Sequence, residues 1–198
     1  MIFPKNNFDS DIFFKILNKN KCAILDYGCG VGIWNVGGVR GNKIYLYDKN
    51  KLALKYAKNK YYSDKNFIII NSVKKIKNLR KIDAVLLNSV IQYISKNNLK
   101  KLLLNFDKVL AKNYKIIISD IPKFSRLIEL CSFLFLSPRK FLSAIYIIIN
   151  FNNYIKKYKF YLNNLDISFL EKNFKFKSTE NFNKFKLRYS VILEKKLK

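Results

Sequence analysis

Short apolar runs alternate with amphipathic segments over the first 120 residues of the chain. Segments 51–57 and 98–110 have the periodicity of helices, and each would return the chain for another strand. The near-continuous apolar run at 82–88 is typical of a parallel strand that is covered on both faces. The alternation therefore predicts a doubly wound α/β fold with a mostly parallel sheet. Its first five strands are predicted at 24–27, 43–48, 67–70, 82–88 and 114–120.

The two ends of the chain add elements at the margins of this core. Residues 9–11 offer an N-cap for a short amphipathic helix over 12–17. Near the C terminus, 165–172 has helical periodicity, 174–177 alternates like a half-exposed strand, and 188–194 has the pattern of a last strand. The sheet is therefore expected to have seven strands.

One segment, 124–160, is longer than a connection between a strand and a helix needs to be. Its two apolar pieces, 127–136 and 141–151, are separated by Ser-Pro-Arg-Lys, and neither reaches the roughly 18 residues of a membrane-spanning helix. We expect a helical cap over a substrate site, whose apolar side meets an amphipathic molecule or a membrane surface. The alternative is ordinary core that covers the edge of the sheet.

Basic residues outnumber acidic ones three to one, at 39 against 13, so the net charge is +26. Such a charge would ordinarily suggest a nucleic-acid or anionic-membrane partner. Only five of the basic residues are arginine, however, and lysine lacks the planar fork that phosphate and base recognition use. We therefore favour a solvated basic surface and expect no sequence-specific nucleic-acid binding. A nucleic-acid-binding protein is the alternative.

The cysteines carry no sign of a disulfide framework or a zinc site. Cys22, Cys29 and Cys131 are odd in number and widely spaced, so no metal is expected. The first residues show no continuous apolar core followed by a small-residue cleavage site, so no signal peptide is visible. These features favour a reducing cytoplasm.

Three glycines at alternate positions follow the first predicted strand: Gly28, Gly30 and Gly32. Glycines at this spacing let the backbone turn sharply and approach a ligand, and a helix that begins near Ile33 would aim its free N–H groups at the ligand. The dinucleotide fingerprint Gly-x-Gly-x-x-Gly needs its third glycine where Ile33 stands, so a nicotinamide cofactor is disfavoured. The Walker A phosphate loop fails as well, since no Gly-Lys-Ser/Thr follows.

The run Leu25-Asp26-Tyr27-Gly28-Cys29-Gly30-Val31-Gly32 closely resembles the first motif of the class I, Rossmann-like S-adenosylmethionine-dependent methyltransferases. A second feature agrees with it. Asp48 ends the second apolar run about 20 residues beyond the first glycine, the spacing at which a carboxylate meets ribose hydroxyls. The resemblance implies S-adenosylmethionine as the cofactor and a sheet whose last strand is antiparallel.

The length of the chain and the pattern of its segments, taken with the resemblance, indicate how the chain is divided. We expect a single methyltransferase domain over 1–198. It would consist of an N-terminal helix in 1–20, a cofactor-binding core in 21–122, the cap in 123–160, and a C-terminal helix with a pair of strands in 161–198.

Two loops at the ends of the first two strands hold the cofactor in the resembled family. Asp26 would help to hold the amino group of the cofactor, and Asp48 would take the ribose hydroxyls. From the residues alone, Asp26 could instead be an acid favoured by a helix dipole, and Asp48 a turn-forming residue before Lys49. The implied residues of these loops are Asp26, Gly28, Cys29, Gly30, Gly32, Asp48 and Lys49.

The third and fourth strands end in polar residues that depart partly from the family pattern. Where the family often carries an acid that meets the adenine amino group, this chain has Asn71-Ser72, and Ser72 can still hydrogen-bond. The segment that begins with Asn88 and Ser89 resembles the motif that lines the pocket beside the reactive methyl. It lacks the Asn/Asp-Pro-Pro-aromatic signature, which argues against a DNA base as substrate.

The chain has no histidine, so the usual general base for a hydroxyl acceptor is missing. Asp120 and Tyr93 are the candidates for that role, although Asp120 could only start a turn and Tyr93 could only pack. An acceptor that is already nucleophilic, such as a carboxylate, needs no base. We expect a methyltransferase that acts on a small-molecule or lipid-like acceptor. An RNA-modifying enzyme and an inactive cofactor-binding module are the alternatives.

Overall fold

The computed structural model describes residues 10–17, 21–34, 41–79, 81–122, 167–180 and 188–196. These residues form one seven-stranded sheet with the strand order β3-β2-β1-β4-β5-β7-β6. The first five strands pair in parallel, and β7 lies antiparallel between β5 and β6. The predicted fold class, a doubly wound and mostly parallel sheet of seven strands, is confirmed. The strands are β1 Ala23–Tyr27, β2 Lys43–Tyr47, β3 Phe67–Ile70, β4 Ile82–Asn88, β5 Leu110–Pro122, β6 Phe174–Glu180 and β7 Arg188–Lys195.

Helices cover both faces of this sheet. They are α1 Ser10–Leu17, α2 Lys51–Lys60, α3 Val73–Lys77, α4 Lys96–Val109 and α5 Ile167–Asn173. Successive side chains of a strand point to opposite faces, so adjacent residues such as Ile24 and Leu25 belong to two different cores. Residues of α1 and α2 pack in the core of Ile24, and residues of α3, α4 and α5 pack in the core of Leu25. This arrangement explains why β1 and β4 read as almost continuously apolar.

Most predicted elements are observed within a few residues of their expected bounds. The largest shift is in β5, which begins at Leu110 rather than 114, because Leu110 already pairs with Ile82 across an irregular register. The sequence did not predict α3, a five-residue helix that Ser72 caps and that buries Ile76. The first crossover helix was expected near Ile33, but residues 31–34 are not helical, and residues 35–40 lie outside the described ones.

The cap predicted at 123–160 lies outside the described residues, and so does most of the connection to α5. The proposed division of the chain into core, cap and C-terminal part therefore stays a prediction. Within the described ranges, no helix combines the length and apolarity needed to cross a membrane.

Candidate active site

The candidate site lies where the strand order reverses. β1 has β2 on one side and β4 on the other, so a crevice opens beyond the carboxyl ends of these strands. Parallel strands end at the same edge of a sheet. The predicted site residues in or just after the last positions of β1, β2, β4 and β5 are therefore brought to one edge, although they are spread over almost 100 positions of the chain.

The glycine loop is anchored to the end of β2 by its backbone. The N–H groups of Gly28 and Cys29 both donate to the carbonyl oxygen of Tyr47, at 2.7 and 3.0 Å. The loop closes with a third bond, from the Gly32 N–H to the Cys29 carbonyl oxygen at 2.9 Å. Gly28, Gly30 and Gly32 have φ angles of +84°, +54° and +87°, a region that side chains disfavour.

The three glycines serve two different physical purposes. A Cβ at Gly28 would lie 2.5 Å from a methyl group of Val90, and a Cβ at Gly32 would lie 2.4 Å from the ring of Tyr61. At Gly30 no atom of the described residues would come within 4 Å of the added Cβ. Gly28 and Gly32 therefore serve close packing, whereas Gly30 faces open space where a ligand can approach the main chain.

Asp48 joins the end of β2 to the glycine loop. Its Oδ2 accepts a hydrogen bond from the Gly30 N–H at 2.8 Å, and its Oδ1 accepts one from the Asn50 N–H at 2.7 Å. Asn50 in turn caps α2 through its side chain. Oδ1 of Asp48 thus forms the turn that was the alternative interpretation of this residue, while Oδ2 holds the glycine loop. Each carboxylate oxygen has a further lone pair that a hydroxyl can use.

Asp26 is almost fully buried beneath this loop. Its side chain is 1% exposed, and its Oδ2 accepts a hydrogen bond from the indole Nε1 of Trp34 at 2.8 Å. Burial raises the pKa of Asp26 to about 7; the Trp34 hydrogen bond opposes the rise and the negative charge of Asp48 adds to it. The described part of the loop offers no helix dipole to this acid, because residues 31–34 are not helical.

The ends of β4 and β5 carry a second polar cluster. The Ser119 hydroxyl donates to Oδ1 of Asn88 at 2.6 Å, and the Ser89 hydroxyl donates to the Asp120 carboxylate. Ser89 and Asp120 have φ angles of +56° and +63°, which turn each strand end. Asp120 is 8% exposed within this cluster, whereas Tyr93, on a turn of 3₁₀ helix at Ile91–Tyr93, is 69% exposed.

A family model described as a methyltransferase domain matches residues 25–118. The matched segment contains the glycine loop, Asp48 and the end of β4, and it stops within β5, just before Ser119 and Asp120. Residues 25–118, a little under half of the chain, match a methyltransferase domain of the class I, S-adenosylmethionine-dependent type. This result confirms the family resemblance, the enzyme class and S-adenosylmethionine as the cofactor.

Solved structures of methyltransferases share the fold. An S-adenosylmethionine-dependent methyltransferase from Aquifex aeolicus is 16% identical with a TM-score of 0.65, and the match covers 96% of this chain and 92% of that one. The magnesium protoporphyrin IX methyltransferase of Synechocystis PCC 6803, solved with bound S-adenosylhomocysteine, is 18% identical with a TM-score of 0.62 over 96% and 81% of the two chains.

A proposed O-methyltransferase from Nostoc punctiforme is 15% identical with a TM-score of 0.66. The match covers 96% of this chain but 56% of that one, so this chain spans just over half the length of that protein. No curated protein matches the sequence significantly.

The residues of this methyltransferase fit the cofactor by two observations. Gly30 leaves open space beside its main chain, and Oδ1 of Asp26 is a buried oxygen for which the described residues supply no hydrogen-bond donor. A nucleotide ligand with an amino-acid group could fill the space beside Gly30 and donate a hydrogen bond to Oδ1 of Asp26. The described residues contain no group of histidine, cysteine and acidic side chains that could hold a metal ion.

Three further predicted cofactor residues are Ser72, Lys49 and Cys29. Ser72 accepts a hydrogen bond from the Lys75 N–H at 3.4 Å as the cap of α3, and its hydroxyl can still donate to an adenine. Lys49 is exposed beside Asp48. Cys29 is buried, which raises the pKa of its thiol, so this cysteine is a neutral part of the loop rather than a nucleophile.

Three residues that support the site were missed in the sequence. Trp34 binds Asp26, the Tyr61 hydroxyl donates to the Trp34 carbonyl oxygen at 3.0 Å, and Lys60 Nζ donates to the Gly32 carbonyl oxygen at 2.6 Å. The available signal was the single tryptophan of the chain, two positions after the last glycine of the motif. Nothing local pointed to Lys60 and Tyr61, because they reach the loop from the end of α2.

Proposed function

We propose that this methyltransferase transfers the methyl group of S-adenosylmethionine to a small-molecule or lipid-like acceptor. The observation that carries the proposal is the pairing of two polar clusters at one edge of the sheet. One cluster holds Asp26, Asp48 and the glycine loop, and the other holds Asn88, Ser89, Ser119 and Asp120. Magnesium protoporphyrin IX, for which one protein of the same fold is named, is a small acceptor and supports this class.

The first cluster would bind the cofactor. We assign the ribose hydroxyls to Asp48, the amino group to Asp26, and the close approach of the main chain to Gly30. Ser72 and Lys49 would flank the adenosine end, and Asn88 would lie nearest the reactive methyl. When bound, the cofactor supplies a sulfonium methyl with a good leaving group. Holding the two reactants in line then provides most of the acceleration, on the order of 7–11 kcal/mol.

The second cluster would act on the acceptor. The Ser89 hydroxyl orients the carboxylate of Asp120, whose left-handed φ falls at the irregularity between Ile118 and Ile121 in the pairing of β5 with β7. In our proposal Asp120 takes the proton from an acceptor hydroxyl or amine as the methyl group arrives. Tyr93 is the weaker candidate, because its ring stands mostly in solvent.

Calorimetry with S-adenosylhomocysteine tests the cofactor half of the proposal. Asp48→Ala removes a charged acceptor from two ribose hydroxyls, so we expect a loss of about 1.5–3 kcal/mol, or roughly ten- to a hundredfold in affinity. Asp64→Ala is a matched control, because Asp64 accepts from the Asn66 N–H at 2.9 Å in the same kind of turn, before β3. Equal affinities for the two variants would show that Asp48 does not reach the ribose.

The net charge of +26 favours one competing function, in which RNA is the acceptor. If the charge is only a solvated surface, nucleic acid binds through counterion release, and its affinity should fall by orders of magnitude between about 50 and 200 mM salt. Filter binding with several RNA and DNA sequences measures this. Sequence-selective binding that persists at physiological salt would favour the RNA-modifying alternative over a small acceptor.

A further inference from the structure

Asp26 presents an unusual combination of burial and unused hydrogen-bonding capacity. Oδ2 accepts from Trp34 at 2.8 Å, but Oδ1, although buried, has no hydrogen-bond partner among the described residues. Buried polar atoms in proteins almost always have partners. An acid with one satisfied and one open oxygen, directly below a cofactor loop, therefore points to a donor that arrives with the ligand.

Trp34 is fixed in place, so it can hold the acid in one orientation. Its side chain is 2% exposed, and its ring meets Phe13 of α1 edge to face with centroids 5.2 Å apart. Its carbonyl oxygen accepts the Tyr61 hydroxyl. The indole N–H is thus aimed at Oδ2 of Asp26 by packing on one side and by the backbone on the other.

The charges around Asp26 leave it without a cationic partner in the described part of the chain. Asp48 and the Cys29 thiol lie close enough to interact with it electrostatically, and so does the Tyr61 hydroxyl. Lys60, a cation at the end of α2 that contacts the glycine loop, donates to the backbone carbonyl oxygen of Gly32 instead. β4 and α1 add aliphatic and aromatic side chains from the shared core. Ionising this acid is therefore costly until a positive charge arrives.

We propose that Trp34 is a positioning residue that holds Asp26 for an exchange; this inference rests on the function proposed above. In the exchange, the carboxyl group of Asp26 gives up its proton when the cofactor binds, and the cofactor's ammonium group takes the place of that proton. The neutral carboxyl loses its proton to solvent, and the resulting carboxylate pairs with the ammonium group. The bond from the indole N–H to Oδ2 persists throughout. Because burial raises the pKa of Asp26 to about 7, the free protein carries this proton at mildly acidic pH.

Calorimetry with S-adenosylhomocysteine measures the exchange without any methyl acceptor. Titrations near pH 6, in two buffers with different ionisation enthalpies, count the protons released on binding. For a pKa of about 7 we expect about 0.9 proton released near pH 6 and about 0.5 near pH 7, with affinity rising about fivefold between the two. An α-amino group, whose ordinary pKa is about 7.7–8.0, keeps most of its own proton over this range.

A ligand control separates the ammonium group from the rest of the cofactor. 5′-Methylthioadenosine keeps the nucleoside but has no amino-acid group, so its binding should release no proton from Asp26. Equal release with both ligands would overturn the exchange, because the proton would then come from a group that responds to the nucleoside.

Two variants assign the proton and the positioning role. Asp26→Asn cannot titrate, so its proton release and its pH dependence should both vanish. Trp34→Phe keeps the aromatic packing but removes the N–H that stabilises the charged form. The pH midpoint of proton release should therefore move upward in this variant, whereas a purely structural role would weaken binding at every pH and leave the midpoint in place.

The outcomes separate this inference from the proposed function. If the wild-type protein does not bind S-adenosylhomocysteine, both fail. If it binds without releasing a proton near pH 6, the exchange is wrong and the cofactor site stands. An unmoved midpoint in Trp34→Phe overturns the positioning role. Should that variant not fold, the wild type and Asp26→Asn still decide the exchange.

Discussion

The ends of β1 and β2 and the ends of β4 and β5 meet at the same edge of the sheet but are built differently. At β1 and β2, backbone N–H groups of the glycine loop bind the Tyr47 carbonyl oxygen and Asp48, and one side-chain bond joins Trp34 to Asp26 beneath the loop. At β4 and β5, one backbone bond runs from the Ser89 N–H to the Ser119 carbonyl oxygen, and two further bonds join side chain to side chain, Ser119 to Asn88 and Ser89 to Asp120. Positive φ angles fall on glycines at the first end and on Ser89 and Asp120 at the second.

This difference indicates which end can vary. A main-chain loop that needs glycine tolerates few substitutions whatever ligand it binds, which suits a cofactor shared across a family. A side-chain cluster on strand ends can be replaced residue by residue while the strands stay in place, which suits an acceptor that differs between enzymes. The predictions below test whether the cofactor end is the more constrained of the two.

The largest expected effect is the pH dependence of Asp26 at the cofactor end. Because its pKa is raised to about 7 from 3.8, the folded state binds more protons than the unfolded state between these values, so stability falls as pH rises through this window. Asp26→Asn removes this loss. The stability of the variant relative to wild type should grow by about 4 kcal/mol from about pH 4 to pH 8.

Urea denaturation at several pH values measures this difference. An offset between wild type and Asp26→Asn that stays constant across the range would mean that the carboxyl group titrates normally and that its burial is relieved in solution. The cofactor end would then be less constrained than its geometry indicates.

The second largest effect is expected at Gly32, where φ is +87° and a Cβ would lie 2.4 Å from the Tyr61 ring. Gly32→Ala combines a left-handed backbone with overpacking, so it should cost about 3 kcal/mol of unfolding free energy. Gly30→Ala is the matched control, because its Cβ enters open space and it should cost about 1 kcal/mol.

Cofactor affinity distinguishes these two glycines further. Gly30→Ala should keep the fold but weaken S-adenosylhomocysteine binding, since the added methyl group takes room that we assign to the ligand. If Gly30→Ala binds normally while folding normally, the open space at Gly30 is not the ligand's position.

The difference between the two ends also explains what the sequence could reveal. The glycine loop and Asp48 were predicted because their constraints are local: a positive φ demands glycine, and each strand ends where its apolar run ends. The bounds of β3 and β4 followed from the same rule and agree with the structure. The family match then confirmed the cofactor.

The side-chain cluster could be predicted only as separate candidates. Ser89 and Asp120 are 31 positions apart, and their bond depends on β4 and β5 being neighbours and on both residues turning to positive φ. Trp34 was missed for a related reason, because a tryptophan after the motif reads as core until the buried carboxyl beside it is seen. Long-range contacts of this kind leave no periodic signal in one sequence.

At the β4 and β5 end, the larger effect is expected from Ser119. This side chain is fully buried and donates to Asn88 at 2.6 Å, so Ser119→Ala leaves an acceptor unpaired and should cost about 2 kcal/mol. Ser72→Ala is the matched control, because that serine makes a longer bond of 3.4 Å in a partly exposed cap and should cost about 0.5–1 kcal/mol. Equal costs would mean that the buried pair adds nothing beyond an ordinary cap.

The smallest effect separates strain from hydrogen bonding at Ser89. Ser89→Ala and Ser89→Gly both remove the hydroxyl that donates to Asp120, but only glycine relaxes the φ angle of +56°. Ser89→Gly should therefore be more stable than Ser89→Ala by about 1 kcal/mol, which is the cost of a left-handed backbone for a residue with a Cβ. Paired thermal denaturation of the two variants resolves a gap of this size. If the alanine variant is equally stable, Ser89 leaves the left-handed region once its hydroxyl is gone, and the bond to Asp120 is what holds the strand end in its turned conformation.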